Sequence, residues 1–181
     1  MNIEEFLYNL RNGVCGLESV NNITPKGEST IVGLIKDNFD EIPRERKYER
    51  LSRPTLLGRA AGKGALSHSG LEDFKNKKIG LFFGISVGNI GEKTYQDSII
   101  HANSNHYKSI PIPFAHSANY HSITSAIGHF LGVNGITKTI TTGCTSSLEA
   151  IQDAMVYLKS GVIDIAIVGG SDSPVGKVAD R

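Results

Sequence analysis

The stretch from Ile136 to Gly170 constrains the fold of this chain more than any other. Six of the seven residues from Ile136 to Thr142 are β-branched, and a second apolar run at Ile163–Val168 is interrupted only by Asp164. Both patterns predict buried strands. The residues between them predict a helix, because apolar side chains recur at helical spacing, at Leu148, Ile151, Met155 and Leu158. A strand, a helix and a second strand form a βαβ unit, which predicts an α/β fold.

A cysteine, Cys144, stands at the first corner of this unit, just before the predicted helix. Ser146 and Glu149 fit a capping box at the helix start, and Gly161 fits a left-handed residue after its end. The unpaired N–H groups and positive dipole end of a helix favour a thiolate over a thiol. The corner therefore resembles a nucleophile elbow with sulfur in place of oxygen. The alternative is that Cys144 is a small buried hydrophobic residue, and the local pattern favours neither interpretation.

The rest of the chain predicts further strands and helices, some from stronger sequence patterns than others. The clearest strand is Lys78–Gly84, KIGLFFG, and a shorter one is predicted near Ile31–Ile35, within surface connections that run from Val14 to Tyr48. Apolar periodicity, terminal glycines and capping residues predict four helices, at residues 2–11, 51–66, 91–101 and 119–131. Pro54 and several glycines weaken the second of these helices.

Two patterns that suggest ligand sites are rejected on their spacing. The segment GRAAGKG lacks a phosphate loop's first glycine, because Leu57 stands there, and Gly64 occupies the position of the magnesium-binding Ser or Thr. Five of the six histidines fall in one window, at His101, His106, His116, His121 and His129. They lack the i, i+4 pairing and the nearby carboxylates of a zinc motif. We predict no metal and no cofactor, although any of these histidines could act as a base for Cys144 if the fold brings it near.

Composition excludes several classes of function. The chain has 181 residues, enough for one domain or part of a larger one. Its 19 basic and 18 acidic residues give a net charge of +1, so we expect neither nucleic acid nor an anionic membrane as partner. No apolar run approaches the roughly 20 residues that span a bilayer. Cys15 and Cys144 are far apart and no signal-peptide pattern is present, so a cytoplasmic location is expected.

The segment TTGCTSSLEAI, with the helix ending LKSG and the run DIAIVGGSD, resembles the active-site segment of β-ketoacyl synthases. The strongest resemblance is to the ketosynthase subunit of type II polyketide systems. It extends upstream through NYHSITSAIGHFLGVNG and KKIGLFFGISVGNIG to about Asn2, and motif, order and spacing agree together. The resemblance implies the N-terminal half of a thiolase-like α/β fold over residues 1–181, with a mixed sheet flanked by helices. The first strand would lie upstream of Asn2, and the C-terminal half is absent.

The resemblance also implies a chemistry. Cys144 would accept an acyl chain from an acyl carrier protein as a thioester, with its backbone N–H as an oxyanion donor. Decarboxylative Claisen condensation with malonyl carrier protein would follow, in fatty acid or polyketide biosynthesis. The two catalytic histidines and the lysine of these enzymes belong to the second half, so we expect the reaction to be incomplete in this chain alone. A homodimer or heterodimer is expected, with its interface near residues 136–142, and a separate chain is a further candidate partner that would supply the C-terminal half.

Two other functions remain open. The chain could be a non-catalytic remnant or partner subunit that contributes an interface to a split ketosynthase. It could also be a cysteine thioester hydrolase that pairs Cys144 with one of the clustered histidines.

Overall fold

A computed structural model of the chain describes residues 3–21, 27–36, 39–42, 51–71, 74 and 76–175. The chain divides into two units, residues up to 38 and residues 39–177. In the second unit, helices flank a parallel sheet, which confirms the predicted α/β fold class. Parts of the predicted surface connections, residues 22–26, 37–38 and 43–48, lie outside the described residues.

The first unit contains a helix and a two-stranded hairpin. Helix α1, Ile3–Arg11, confirms the helix predicted at residues 2–11. Strands β1, Leu17–Val20, and β2, Thr30–Gly33, pair antiparallel. Strand β2 corresponds to the strand predicted near Ile31–Ile35, whereas the sequence analysis missed β1. Four residues, LESV, are too few for a clear alternation of apolar and polar side chains.

The second unit is built on a three-stranded parallel sheet in the order β4-β3-β5. Its central strand β3, Ile79–Gly84, is buried along its whole length, as a parallel strand covered on both faces should be. Strand β4, Thr137–Ile140, is shorter than the predicted strand. Strand β5, Ile165–Gly170, starts two residues later than predicted, because the Asp164 carboxylate accepts the Lys78 N–H at that edge.

Helices cover both faces of this sheet. On one face, Leu81, Phe83 and Ile85 pack against Ile123 and Ile127 of helix α5, Tyr120–Phe130. On the other, Phe82 and Ile140 pack against alanines of helix α6, Ser146–Lys159. Successive side chains of β3 thus point to opposite faces and join two separate cores. Residues 119–131 were predicted to be helical, and α5 confirms this, with the Asn119 side chain accepting the His121 N–H at 3.0 Å.

Helix α2, Arg53–His68, contains the GRAAGKG segment. The segment is therefore helical and cannot form a phosphate-binding loop, which agrees with its rejection on spacing. Arg59, in the middle of this helix, is fully buried. Its guanidinium donates to the Ala126 carbonyl oxygen and lies 5.0 Å from the centre of the Phe130 ring. Arg59 thus connects α2 to α5 by a contact that the sequence pattern did not reveal.

Two further helices lie between β3 and α5. Helix α3, Lys93–Asn103, begins two residues after its predicted start, and α4 covers Pro113–Ser117. A single 3-10 turn lies between them at Tyr107–Ser109. None of the helices in the described residues combines the length and the apolar character needed to cross a membrane.

Helix α6 follows Cys144 as predicted, but its apolar stripe does not face the sheet. Its buried residues are Ser146, Ala150 and Ala154. The apolar side chains that predicted the helix are exposed, Leu148 at 69% and Ile151 and Met155 at 48% each. Small side chains on the buried face let the helix backbone approach the sheet closely, which explains why the spacing located the helix but not its buried side.

Candidate active site

Cys144 lies in a short 3-10 turn, Gly143–Thr145, between the end of β4 and the start of α6. Gly143 adopts a φ of 69°, a left-handed conformation that residues with a Cβ rarely adopt. Cys144 is exposed and forms no disulfide with Cys15, and its exposure contradicts the alternative that it is a buried hydrophobic residue. It lies at the carboxyl edge of a parallel sheet, the edge at which α/β proteins generally bind their ligands.

The turn is fixed by hydroxyl groups rather than by the predicted capping box. The Ser146 hydroxyl donates to the Gly143 carbonyl oxygen at 2.6 Å and lies 3.3 Å from that of Ile85. Thr145, not Ser146, is the residue that precedes the helix, and its hydroxyl bonds the Glu149 carboxylate at 3.0 Å. The capping-box prediction is wrong because the Ser146 hydroxyl points back to the strand ends instead of to a helix N–H.

The start of α6 is in close contact with the ends of two strands. A Cβ added to Gly84, at the end of β3, would lie 2.6 Å from the Ser147 nitrogen and 2.7 Å from the Ser146 carbonyl carbon. A Cβ on Gly170, at the end of β5, would collide with the Ser147 hydroxyl and the Gly84 oxygen. Both positions need glycine because backbone meets backbone there. This close contact fixes the distance between the start of α6, next to the cysteine turn, and the strands of the sheet.

A carboxylate joins the loops that follow β3 and β5. Asp172 accepts three consecutive backbone N–H groups: Ser86 at 3.1 Å, Val87 at 2.7 Å and Gly88 at 2.5 Å. Asn89 follows directly and is buried, and neither its amide nitrogen nor its amide oxygen has a hydrogen-bond partner among the described residues. The sequence analysis assigned no role to either residue. An acidic residue just after a buried strand was the signal that would have pointed to Asp172.

Among the described residues, three ionisable side chains have pKa values displaced from their usual range. Burial raises the pKa of Glu92, and the hydrogen bond from the Arg53 N–H only partly offsets it. Burial also raises the pKa of Tyr120, with further contributions from Tyr95 and Asp172.

The third displaced group is Lys138. Its hydrogen bond to Asp153, 2.6 Å long, raises the pKa of the ammonium group, so Lys138 stays charged at neutral pH. This ion pair ties β4 to α6 on either side of the cysteine turn.

The structure shows how one of the clustered histidines, His121, is held. The His121 Nδ1 atom lies 2.7 Å from the Thr139 hydroxyl, which in turn donates to Thr124. Among the described side chains, no histidine forms a hydrogen bond with Cys144, and the side chain of His116 lies outside that set. The described residues also contain no group of three or more potential metal ligands.

An open depression of about 660 Å³ lies beside β4. Asn119, His121, Lys138 and Thr139 are among its lining residues, and Cys144 is not. The depression therefore adjoins the strand that leads to the cysteine rather than the cysteine itself.

Residues 1–179 match the family model described as the N-terminal domain of β-ketoacyl synthases. The chain belongs to the β-ketoacyl synthase family. A putative polyketide β-ketoacyl synthase 1 from Streptomyces halstedii is 34% identical over 57 residues, which are 32% of this chain and 14% of that protein. The chain thus spans only a small part of the relatives that it matches.

Solved ketosynthase structures share its fold. The ishigamide ketosynthase/chain length factor superposes with a TM-score of 0.81 at 18% identity, over 97% of this chain and 44% of its counterpart. A complex described as a type II acyl-carrier protein with its hexaketide-bound ketosynthase superposes with a TM-score of 0.67 at 17% identity, over 77% of this chain and 40% of its counterpart. At these identities the likeness establishes the fold alone, and it agrees with the α/β fold predicted from the sequence.

Proposed function

We propose that this chain is the nucleophile-bearing part of a β-ketoacyl synthase and that Cys144 accepts an acyl group as a thioester. The observation that carries the proposal is the exposed Cys144 in a tight turn between a parallel strand and the first N–H groups of α6. The thiolate attacks the carbonyl carbon of an acyl thioester. The resulting oxyanion accepts a hydrogen bond from the backbone N–H of Cys144. Collapse of this adduct breaks the bond to the carrier sulfur and expels the carrier thiolate, which takes up a proton.

The donor that we propose is an acyl carrier protein, and the pathway is polyketide rather than fatty acid biosynthesis. Support comes from relatives that are polyketide synthases and from the solved complex of a ketosynthase with its carrier protein. We further propose that the chain works in a reducing, cytoplasmic setting, since both of its cysteines are exposed thiols.

Acyl transfer is tested by incubating the purified chain with an acyl carrier protein loaded with a short acyl group. Intact-protein mass spectrometry is expected to show one acyl adduct, and peptide mapping is expected to place it on Cys144. Cys15 is an internal control, because it is exposed but does not lie at a helix start. An adduct on Cys15, or one that survives Cys144→Ala, contradicts the proposal. Thioester turnover without any adduct would favour the hydrolase instead.

We also propose that the chain associates through β4, as a homodimer or with a second ketosynthase-type chain, including one that supplies the C-terminal half. Strand β4 pairs only with β3 among the described strands, so it is an edge of the sheet that presents unpaired backbone groups. We expect size-exclusion chromatography with light scattering to show dimers or larger species. A compact monomer that persists over a wide concentration range contradicts this proposal.

A further inference from the structure

We propose that Asp172 is a positioning residue for acyl transfer, in that it holds the turn that carries Cys144. This inference rests on the proposed function and adds a residue to it. Asp172 itself follows β5 and lies in a different loop from Cys144. Its effect is transmitted through the loop after β3.

The first link is the contact between Asp172 and that loop. Its carboxylate accepts the N–H groups of Ser86, Val87 and Gly88, with the Ser86 donor shared between both oxygens at 3.1 and 3.2 Å. A return bond runs from the Ser173 N–H to the Gly88 carbonyl oxygen at 2.8 Å. Three N–H groups that converge on one site form a concave anion-binding surface, and a negative charge satisfies it far better than a neutral acceptor. Asp172 therefore fixes the path of residues 86–88.

The second link runs from this loop to the cysteine turn. Ile85 immediately precedes the three donors, and its N–H bonds the Ile140 carbonyl oxygen at 2.9 Å. Its own carbonyl oxygen faces the buried Ser146 hydroxyl, which also bonds Gly143. The positions of Gly143 and Ser146, which flank Cys144 and Thr145, thus depend on the loop that Asp172 holds. Loosening that loop should displace the Cys144 sulfur and N–H relative to a bound thioester.

The chain contains a matched control for this role. Asp164, at the other end of β5, accepts the Lys78 N–H at 2.7 Å at the start of β3. Asp164 and Asp172 both join β3 to β5, but Asp164 does so at the edge remote from Cys144. Asp164→Asn therefore reports what the loss of such a carboxylate does to the fold alone. Asp172→Asn keeps the size of the side chain and one acceptor oxygen while it removes the charge.

The test compares the wild-type chain with Asp172→Asn and Asp164→Asn in a Cys15→Ser background, at a temperature at which circular dichroism shows all three folded. The initial rate of Cys144 acylation is measured against the concentration of acyl carrier protein. For Asp172→Asn we expect the limiting rate to fall by roughly 10- to 100-fold with little change in the half-saturating concentration, because misplacement affects the reacting geometry rather than carrier binding. Asp164→Asn should acylate at the wild-type rate. Hydrogen exchange at residues 143–146 should accelerate only in Asp172→Asn.

A wild-type rate in folded Asp172→Asn overturns the inference, as does an equal loss in both variants. If the wild-type chain forms no acyl adduct, the proposed function fails, and the role of Asp172 is then decided by exchange at residues 143–146 and by the rate at which iodoacetamide alkylates Cys144. Unchanged exchange and alkylation in Asp172→Asn overturn the positioning role. Changes confined to that variant support it without reference to the reaction.

Discussion

Incubated with acyl-carrier and malonyl-carrier proteins, the 181-residue chain is expected to accumulate an acyl group on Cys144 and to release no β-ketoacyl product. Loss of carbon dioxide from a malonyl thioester builds negative charge on the thioester oxygen, and neutral histidine donors stabilise it in β-ketoacyl synthases. Removal of a single oxyanion donor typically costs ~10²–10³ in rate, and we predict that none of the histidines in the tested chain supplies such a donor. Of the histidines that it does contain, His121 is bonded to the Thr139 hydroxyl.

The measurement is product analysis of the reaction mixture by mass spectrometry of the carrier-bound thioesters. The Cys144→Ala variant controls for adventitious acyl transfer and should show neither adduct nor product. If the wild-type chain yields a β-ketoacyl thioester and Cys144→Ala does not, histidines within the chain supply the missing donors and the assignment of those donors to the other half is wrong.

The variant Gly84→Ala is expected to lower the free energy of unfolding by about 1–3 kcal/mol, the usual range for overpacking a close-packed interior. The new Cβ would lie within 3 Å of the Ser146 and Ser147 backbone, so it can be accommodated only if α6 moves away from β3. A chain of this size should lose roughly 2–4 °C in melting temperature for each kcal/mol. The displacement would also move the cysteine turn, so acylation should slow in parallel. Thermal unfolding by circular dichroism measures the first effect.

The matched control is Gly64→Ala. Gly64 lies in helix α2, and nothing stands within 4 Å of a Cβ added there. Alanine at that position should raise stability by about 0.4–1 kcal/mol, because it restricts the unfolded chain and favours the helix. The two glycine-to-alanine changes are thus predicted to act in opposite directions. Equal or negligible shifts in both variants would show that β3 and α6 are less closely packed than the structure indicates.

The cysteine corner was largely predictable from local sequence. A β-branched run followed by Gly143 and an apolar helical repeat locates a strand, a turn and a helix, since each signal arises within a few residues. The structure places β4, the turn and α6 in that order. The boundaries were less predictable: β4 ends before Thr141, and β5 starts at Ile165, where the Lys78 N–H bonds the Asp164 carboxylate rather than a backbone carbonyl oxygen.

The buried side of α6 was not predictable in the same way. Its most hydrophobic positions, Leu148 and Met155 among them, are exposed, and Ala150 and Ala154 face the sheet. Periodicity reports which side chains share a face of a helix, but it does not report which face meets a sheet. That choice depends on how closely the two backbones approach, and Gly84 and Gly170 allow an approach that only small helix residues can match.

The sequence by itself determined the α/β class, the order of the elements around Cys144 and the family to which the chain belongs. Only the tertiary structure decided that Cys144 is exposed, that Ser146 bonds the strand ends instead of capping the helix, and that Asp172 holds the loop after β3. The physical reason is sequence separation. Ser146 and Ile85 are 61 residues apart and Asp172 and Ser86 are 86 apart, so no local pattern records their contact. Parallel strands bring such residues together because they align their carboxyl ends at one edge of the sheet.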